Sequence, residues 1–233
     1  MDKCKFLTAT ALVAALTIPT IANSALVGRL AATEGGTDYQ AYYDTEANLT
    51  WLADANGAGQ DLIWFDANNW VTNLNVSGVS DWRLPNTIDV GNDGITYTNY
   101  YQGVDYGYNI TAHSELSNLY YNALGNDAYY QVNGVKTGCP EYYCLLNTGP
   151  FSNIQLGNYW SGTTYELNSS NTWGFSMKDG LQGVLTNSSQ FNTWAVHSGD
   201  VATVSAVPIP PSVFLFGSGL LALIGFLRRK FNA

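Results

Sequence analysis

His113 and His197 are the only imidazoles in this 233-residue chain, so general-base chemistry near neutral pH has few carriers. Nucleophilic catalysis needs such a base beside an activated Ser, Thr or Cys. Neither histidine sits beside a nucleophile string such as G-x-S-x-G. His113 precedes a candidate helix and His197 ends a candidate strand. Cys139 and Cys144 form a C-x₄-C pair in Gly138-Cys139-Pro140-Glu141-Tyr142-Tyr143-Cys144. That spacing is unusual for zinc and no His lies nearby, which leaves a disulfide or a reactive thiol pair. Asp89-Val90-Gly91-Asn92-Asp93-Gly94 offers oxygen donors in Asp89, Asn92 and Asp93. A calcium loop wants acceptors at its third and twelfth positions, and Gly91 and Tyr100 stand there instead. A turn-rich loop is the plainer reading, and calcium is the one ion the pattern leaves open.

Other residues suggest binding more than catalysis. Arg83 lies between Trp82 and Leu84. Its guanidinium either holds a ligand or pairs with a buried acid such as Asp81 or Asp54 while stacking on Trp. The apolar flanks before Pro85 favour the second use. The seven tryptophans, Trp51, Trp64, Trp70, Trp82, Trp160, Trp173 and Trp194, could stack on sugars, but most fall on expected core faces. Tyr97, Tyr100, Tyr101, Tyr106 and Tyr108 crowd one long insertion. Tyr brings contact area and a hydroxyl at low entropy cost, so these five are candidate ligand contacts; covering the core is the alternative. Carboxylate pairs for glycoside hydrolysis are invisible from spacing alone.

Composition narrows the classes. Charged residues make up 12% and apolar residues 46% of the chain, with 23 Asn and 23 Gly. Disorder calls for low hydrophobicity and high charge, the opposite balance. Between the two ends the cations are Arg29, Arg83, Lys136 and Lys178, against 17 acids. Phosphate neutralisation needs clustered Lys and Arg, so nucleic-acid partners are excluded, and anionic polymers are repelled unless cations bridge.

The elements that must position these residues read as α+β, one domain with two helices and a mostly antiparallel sheet. Leu62 to Leu74 places Ile63, Ala67, Trp70, Val71 and Leu74 on one helical face. A second helix runs from Ser114, a capping residue, to Gly125, with Leu116, Leu119 and Tyr120 as its apolar stripe. Strands are expected at Asn158–Ser161, Thr172–Met177, Leu181–Leu185 and Thr193–His197, with Asp179-Gly180 as a hairpin turn.

Both ends read as targeting segments. Lys3 and Lys5 precede an apolar run from Phe6 to about Ile18, and Ala22-Asn23-Ser24 offers small residues for signal peptidase. Residues 1–24 are thus a signal peptide, 25–48 a lead-in and 49–204 the domain. A Pro-rich motif follows at 205–212, then an apolar membrane segment, Val213–Leu227, and a basic tail at 228–233. Fifteen residues at ~1.5 Å rise reach ~22 Å, short of the ~30 Å hydrocarbon core. Arg228, Arg229 and Lys230 would stay cytoplasmic. After export Cys139 and Cys144 are the only cysteines left and meet an oxidising compartment, so a disulfide is expected.

Two resemblances add to this. Val207-Pro208-Ile209-Pro210-Pro211-Ser212, then Phe214-Leu215-Phe216-Gly217-Ser218-Gly219-Leu220-Leu221 and the basic end, resemble a PEP-CTERM sorting signal of the VPLPA variety. Ile209 stands where the usual Glu would be. That resemblance implies an exosortase-type membrane protease as partner, a Gram-negative source, and a tail cleaved near the Pro motif. Leu49-Thr50-Trp51-Leu52-Ala53-Asp54-Ala55-Asn56 and Gly78-Val79-Ser80-Asp81-Trp82-Arg83-Leu84-Pro85-Asn86 open a second set. The helix from Ser114-Glu115-Leu116 to Gly125-Asn126, Asn147-Thr148-Gly149-Pro150-Phe151, Tyr159-Trp160-Ser161-Gly162-Thr163 and Trp194-Ala195-Val196 complete it. These six strings, in order, resemble the C-terminal domain of Legionella collagen-like (Lcl) proteins. The resemblance implies a C-type lectin-like fold and a non-enzymatic surface or biofilm-matrix protein that binds exopolysaccharide or another surface glycan. Two alternatives stay open: a secreted polysaccharide hydrolase and a permanently membrane-anchored surface protein.

Overall fold

The computed structural model describes residues 25–88, 111–129 and 136–201. The signal segment, Asp89, Asn92 and Asp93, the five tyrosines from Tyr97 to Tyr108, the sorting motif Val207–Ser212, the apolar run and Arg228–Lys230 lie outside them. Among the described residues no helix is long and apolar enough to cross a membrane.

Seven strands here fall into two antiparallel sheets. The first has the order β1-β2-β3-β7, built from Leu26–Ala31, Tyr39–Asp44, Leu49–Leu52 and Val196–Ser198. Tyr42 sits opposite Trp51, and Thr50 opposite His197. The second has the order β4-β5-β6, built from Asn158–Thr164, Asn171–Ser176 and Gln182–Thr186. The domain therefore begins earlier than Leu49: residues read as a lead-in supply β1 and β2. Their signal is weak because burial is partial. Only Leu30 in β1, and Ala41 and Asp44 in β2, are buried, while Tyr39, Tyr42 and Tyr43 are half-covered. Amphipathic tyrosines can line a sheet without giving a clean apolar alternation. Asp44 is buried because it builds the β2–β3 turn, its Oδ1 accepting from the Glu46 and Ala47 amides at 3.0 Å each.

Helix α1, Trp64–Thr72, starts two residues later than its periodicity suggests. Leu62 is already held in a bridge with Phe191, with amide-to-carbonyl bonds of 2.9 and 3.0 Å. Ala67 and Val71 are buried; Trp70 and Leu74 pack half-covered against the core. Helix α2, Glu115–Asn118, is capped by Ser114, whose Oγ accepts from the Ser117 amide at 3.3 Å. The chain then widens into a π-turn over Leu119–Ala123 and stops before Gly125. Asp179-Gly180 does form the β5–β6 turn. Gly180 has φ +76° and its carbonyl accepts from the Tyr121 hydroxyl, which a Cβ there would strike.

The core is aromatic. Trp194 lies 5.3 Å from Trp51, 5.0 Å from Phe151 and 5.9 Å from Tyr159, ring centre to ring centre. Trp51 belongs to the first sheet and Tyr159 to the second, so Trp194 joins the two. Its Nε1 donates to the Leu52 carbonyl at 2.8 Å, which keeps the buried indole satisfied. Trp64 and Trp160 fasten α1 to β4 by donating to the Ser161 and Leu62 carbonyls at 2.9 and 2.7 Å.

Candidate functional site

The string around Arg83 forms an internal tie. Arg83 exchanges backbone hydrogen bonds with Val196 at 2.9 Å each way, which docks the segment against the end of β7. Its guanidinium makes a two-pronged pair with Glu115, at 2.7 and 2.8 Å, the geometry that suits Arg and carboxylate. It also donates to Ser198 Oγ and the Leu84 carbonyl. The second acceptor function of Glu115 is met by the Asn86 amide at 2.7 Å. Trp82 is buried, donates to the Val79 carbonyl, and meets the His197 ring edge-on at 5.8 Å. The structural use of Arg83 therefore holds, but its partner is Glu115, neither Asp81 nor Asp54. Asp54 serves its own turn, accepting from the Asn56 amide and from Asn153. Glu115 is 32 residues away across the long insertion, so no local pattern points to it.

The other three cations between the two ends are also engaged. Arg29 pairs with Asp200 at 2.6 Å and lies 5.4 Å over the Tyr43 ring. The hydrogen bond to Asp200 raises its pKa above the ordinary arginine value. Lys136 sits over Tyr129 and Lys178 over Tyr143, at 5.4 and 4.9 Å from the ring centres. Cys139 and Cys144 are joined in a disulfide, with their Cα atoms 5.2 Å apart. Burial pushes the Tyr159 phenol far above its usual range, although its oxygen accepts from the Gln155 amide at 2.7 Å.

Among the described residues neither histidine ring is hydrogen-bonded to a Ser, Thr or Cys side chain. His113 is exposed, and its carbonyl accepts from the Ile88 amide. His197 Nδ1 is buried without a partner. No group of three His, Cys, Asp or Glu side chains suited to a metal ion occurs among the described residues. Five of the seven tryptophans, Trp51, Trp82, Trp160, Trp173 and Trp194, are fully buried, which answers most of the sugar-stacking candidates in favour of packing.

Among the described residues two concave surfaces stand out. The smaller, of about 340 Å³, lies between Leu49, Asn86, Ile88, His113, Glu115 and Asn118. It opens where the chain leaves for and returns from the tyrosine-rich insertion. The Thr87–Ser114 bridge and the Ile88-to-His113 hydrogen bond, 2.8 Å, close the neck of that insertion. The larger, of about 550 Å³, runs along α1 and is lined by Gln60, Asp66, Asn69, Trp70, Asn73 and Asn75, with Ala58, Leu62 and Leu74 below. Such a volume suits a small-molecule or single-chain ligand, for which sites of roughly 300–1,000 Å³ are usual.

A family model described as the Lcl C-terminal domain matches residues 40–197. The chain belongs to that family. The match runs from β2 into β7, so this Lcl C-terminal domain holds both the Arg83–Glu115 tie and the α1 groove. No curated protein matches the chain. The groove's polar residues were not singled out from sequence. Their signal was present as the stripe opposite the buried face of α1, where Asp66, Asn69 and Asn73 recur at three- and four-residue spacing.

Proposed function

We propose that this Lcl C-terminal domain is a non-catalytic, exported module of the cell surface or biofilm matrix, and that it binds polysaccharide. The observation that carries the reading is the α1 groove, an open channel whose exposed polar side chains flank a half-covered indole. The Cys139–Cys144 disulfide supports export, since such bonds persist in oxidising compartments. The arrangement of two helices on antiparallel sheets is consistent with a C-type lectin-like fold, the finer assignment we favour. On this reading residues 1–24 are removed on export. Val207–Ser212 is then recognised by an exosortase-type protease while the segment before Arg228-Arg229-Lys230 holds the chain briefly in the inner membrane.

Two measurements test this. Mass spectrometry of the protein from its source cell should find a C-terminus close to Val207–Ser212. Intact Arg228-Arg229-Lys230 on most molecules would mean a permanent membrane anchor instead. Incubation with soluble polysaccharides should show retention without chain shortening, and turnover would make the protein a hydrolase.

A further inference from the structure

We propose that the α1 groove is a binding site for an uncharged glycan, with the Trp70 indole as its stacking surface. This rests on the polysaccharide-binding reading and gives it a location and a ligand class. Trp70 differs from the other six tryptophans. Trp64, Trp82, Trp160 and Trp194 donate Nε1–H to backbone carbonyls, Trp173 faces Glu166 at 3.5 Å, and Trp51 Nε1 is sealed inside the core. Trp70 is half-covered, lines the groove, and has no hydrogen-bond partner among the described residues. Its benzo edge is held in place by Gly57, where an added Cβ would come within 3.4 Å of the ring and 2.9 Å of Leu52. The ring is thus seated by its neighbours on one edge and open to the groove.

The rim carries four carboxamides, from Gln60, Asn69, Asn73 and Asn75, and one carboxylate, from Asp66. Folding uses little of this capacity. Asn73 Nδ2 donates to the Asn69 carbonyl at 2.7 Å, and Asn75 Oδ1 accepts from the Gly78 amide at 3.0 Å. Among the described residues Gln60 and Asn69 keep both side-chain functions, Asn73 keeps its oxygen and Asn75 its NH₂ group. A carboxamide both donates and accepts, which is what a vicinal hydroxyl pair requires. A sugar ring also presents an apolar C–H face, which suits an indole floor. The combination of one flat apolar surface and several two-way hydrogen-bonding groups matches a pyranose better than a peptide or a lipid.

Charge decides against an anionic glycan. Among the described residues no Lys or Arg lines the groove, and Asp66 stands in it. The four cations between the two ends are each engaged elsewhere, with Asp200, Glu115, Tyr129 and Tyr143. A sulfate or uronate would therefore meet a carboxylate with no counter-charge.

The test uses the full chain purified in mild detergent, with affinity electrophoresis through gels holding dextran, galactomannan, xyloglucan, dextran sulfate or polygalacturonate. The wild type should be retarded by at least one neutral polymer, at least about tenfold more tightly than by either polyanion, a gap of ~1.4 kcal/mol, and without loss at raised salt. Asn69→Ala and Asp66→Asn should each weaken that binding severalfold with an unchanged melting temperature. Trp70→Ala should abolish it, and Trp70→Phe, which keeps a smaller ring packed against the core, should weaken it severalfold and covers the case in which the alanine variant unfolds. Retardation by a neutral polymer that all four variants retain in full overturns the site but not the polysaccharide reading. Binding to the polyanions alone overturns the uncharged class. Retardation by none of the five polymers overturns both.

Discussion

Two regions of this domain use the same kinds of residue to opposite ends. Around Arg83, an indole, a guanidinium, a carboxylate and a hydroxyl are all turned on one another. Trp82 donates to Val79, Arg83 grips Glu115 and Ser198, and Glu115 also takes the Asn86 amide. Along α1, an indole, carboxamides and a carboxylate are left facing solvent. The first region ties β7, the Pro85 segment and α2 into one body; the second is carried by that body. The lesson is that residue type does not mark a site. What marks it is polar capacity that the fold leaves uncommitted.

The largest contrast should come from the two indoles. Trp82→Ala removes a side chain only 1% exposed and should cost ~3–5 kcal/mol of stability. Trp70→Phe should cost about 1 kcal/mol, because much of the ring contact survives. Urea denaturation of the two variants measures the difference, and equal losses would erase the distinction between the regions.

Alkaline titration probes the closed interior as a whole. Tyr159 holds its proton far above the ordinary value of about 10 in the folded state, whereas an unfolded tyrosine releases it there. Its contribution to stability is complete below pH 10 and fades as the pH climbs toward the folded value. The loss should approach ~1.4 kcal/mol per pH unit. Monitored by phenolate absorbance, Tyr159 should ionise only together with unfolding, and Tyr159→Phe should lower by one the number of phenolates that appear in that coupled step.

Arg83→Ala comes next. Side chains of Arg83 and Glu115 are 28% and 22% exposed, so solvent weakens their attraction and a loss of about 1–2 kcal/mol is expected. Arg83→Lys should recover little, since Lys cannot reproduce the two-pronged contact. A double-mutant cycle with Glu115→Gln reads the coupling directly; a value near zero would show that the tie is ornamental. Asn69→Ala should be the mildest, within about ±0.5 kcal/mol of wild type in the same denaturation. A larger loss would mean that the groove is part of the scaffold.

Much of the fold was legible because it rests on local rules. The apolar stripe of α1, the Ser114 cap, the Asp179-Gly180 turn and strands β4 to β6 all announce themselves within a few residues. The first two strands did not. Strand β1 buries only Leu30, the half-buried tyrosines of β2 lack a sharp alternation, and β3, the partner of β2, is short and buried throughout. At the candidate site, sequence showed seven tryptophans but not which one is open. Burial of an indole depends on what lies across from it, and for Trp194 that means rings contributed by Trp51, Phe151 and Tyr159.

By itself the sequence determined the sparse, acidic charge, the α+β class, and the cysteine pair close enough to bond. These follow from composition, hydrophobic period and a five-residue separation. Only the tertiary structure decided that Arg83 belongs to Glu115, that β1 and β2 complete the first sheet, and that Trp70 stays half-open among exposed carboxamides. Each of those outcomes depends on which groups distant in the chain arrive at one place, and local propensity carries no record of that.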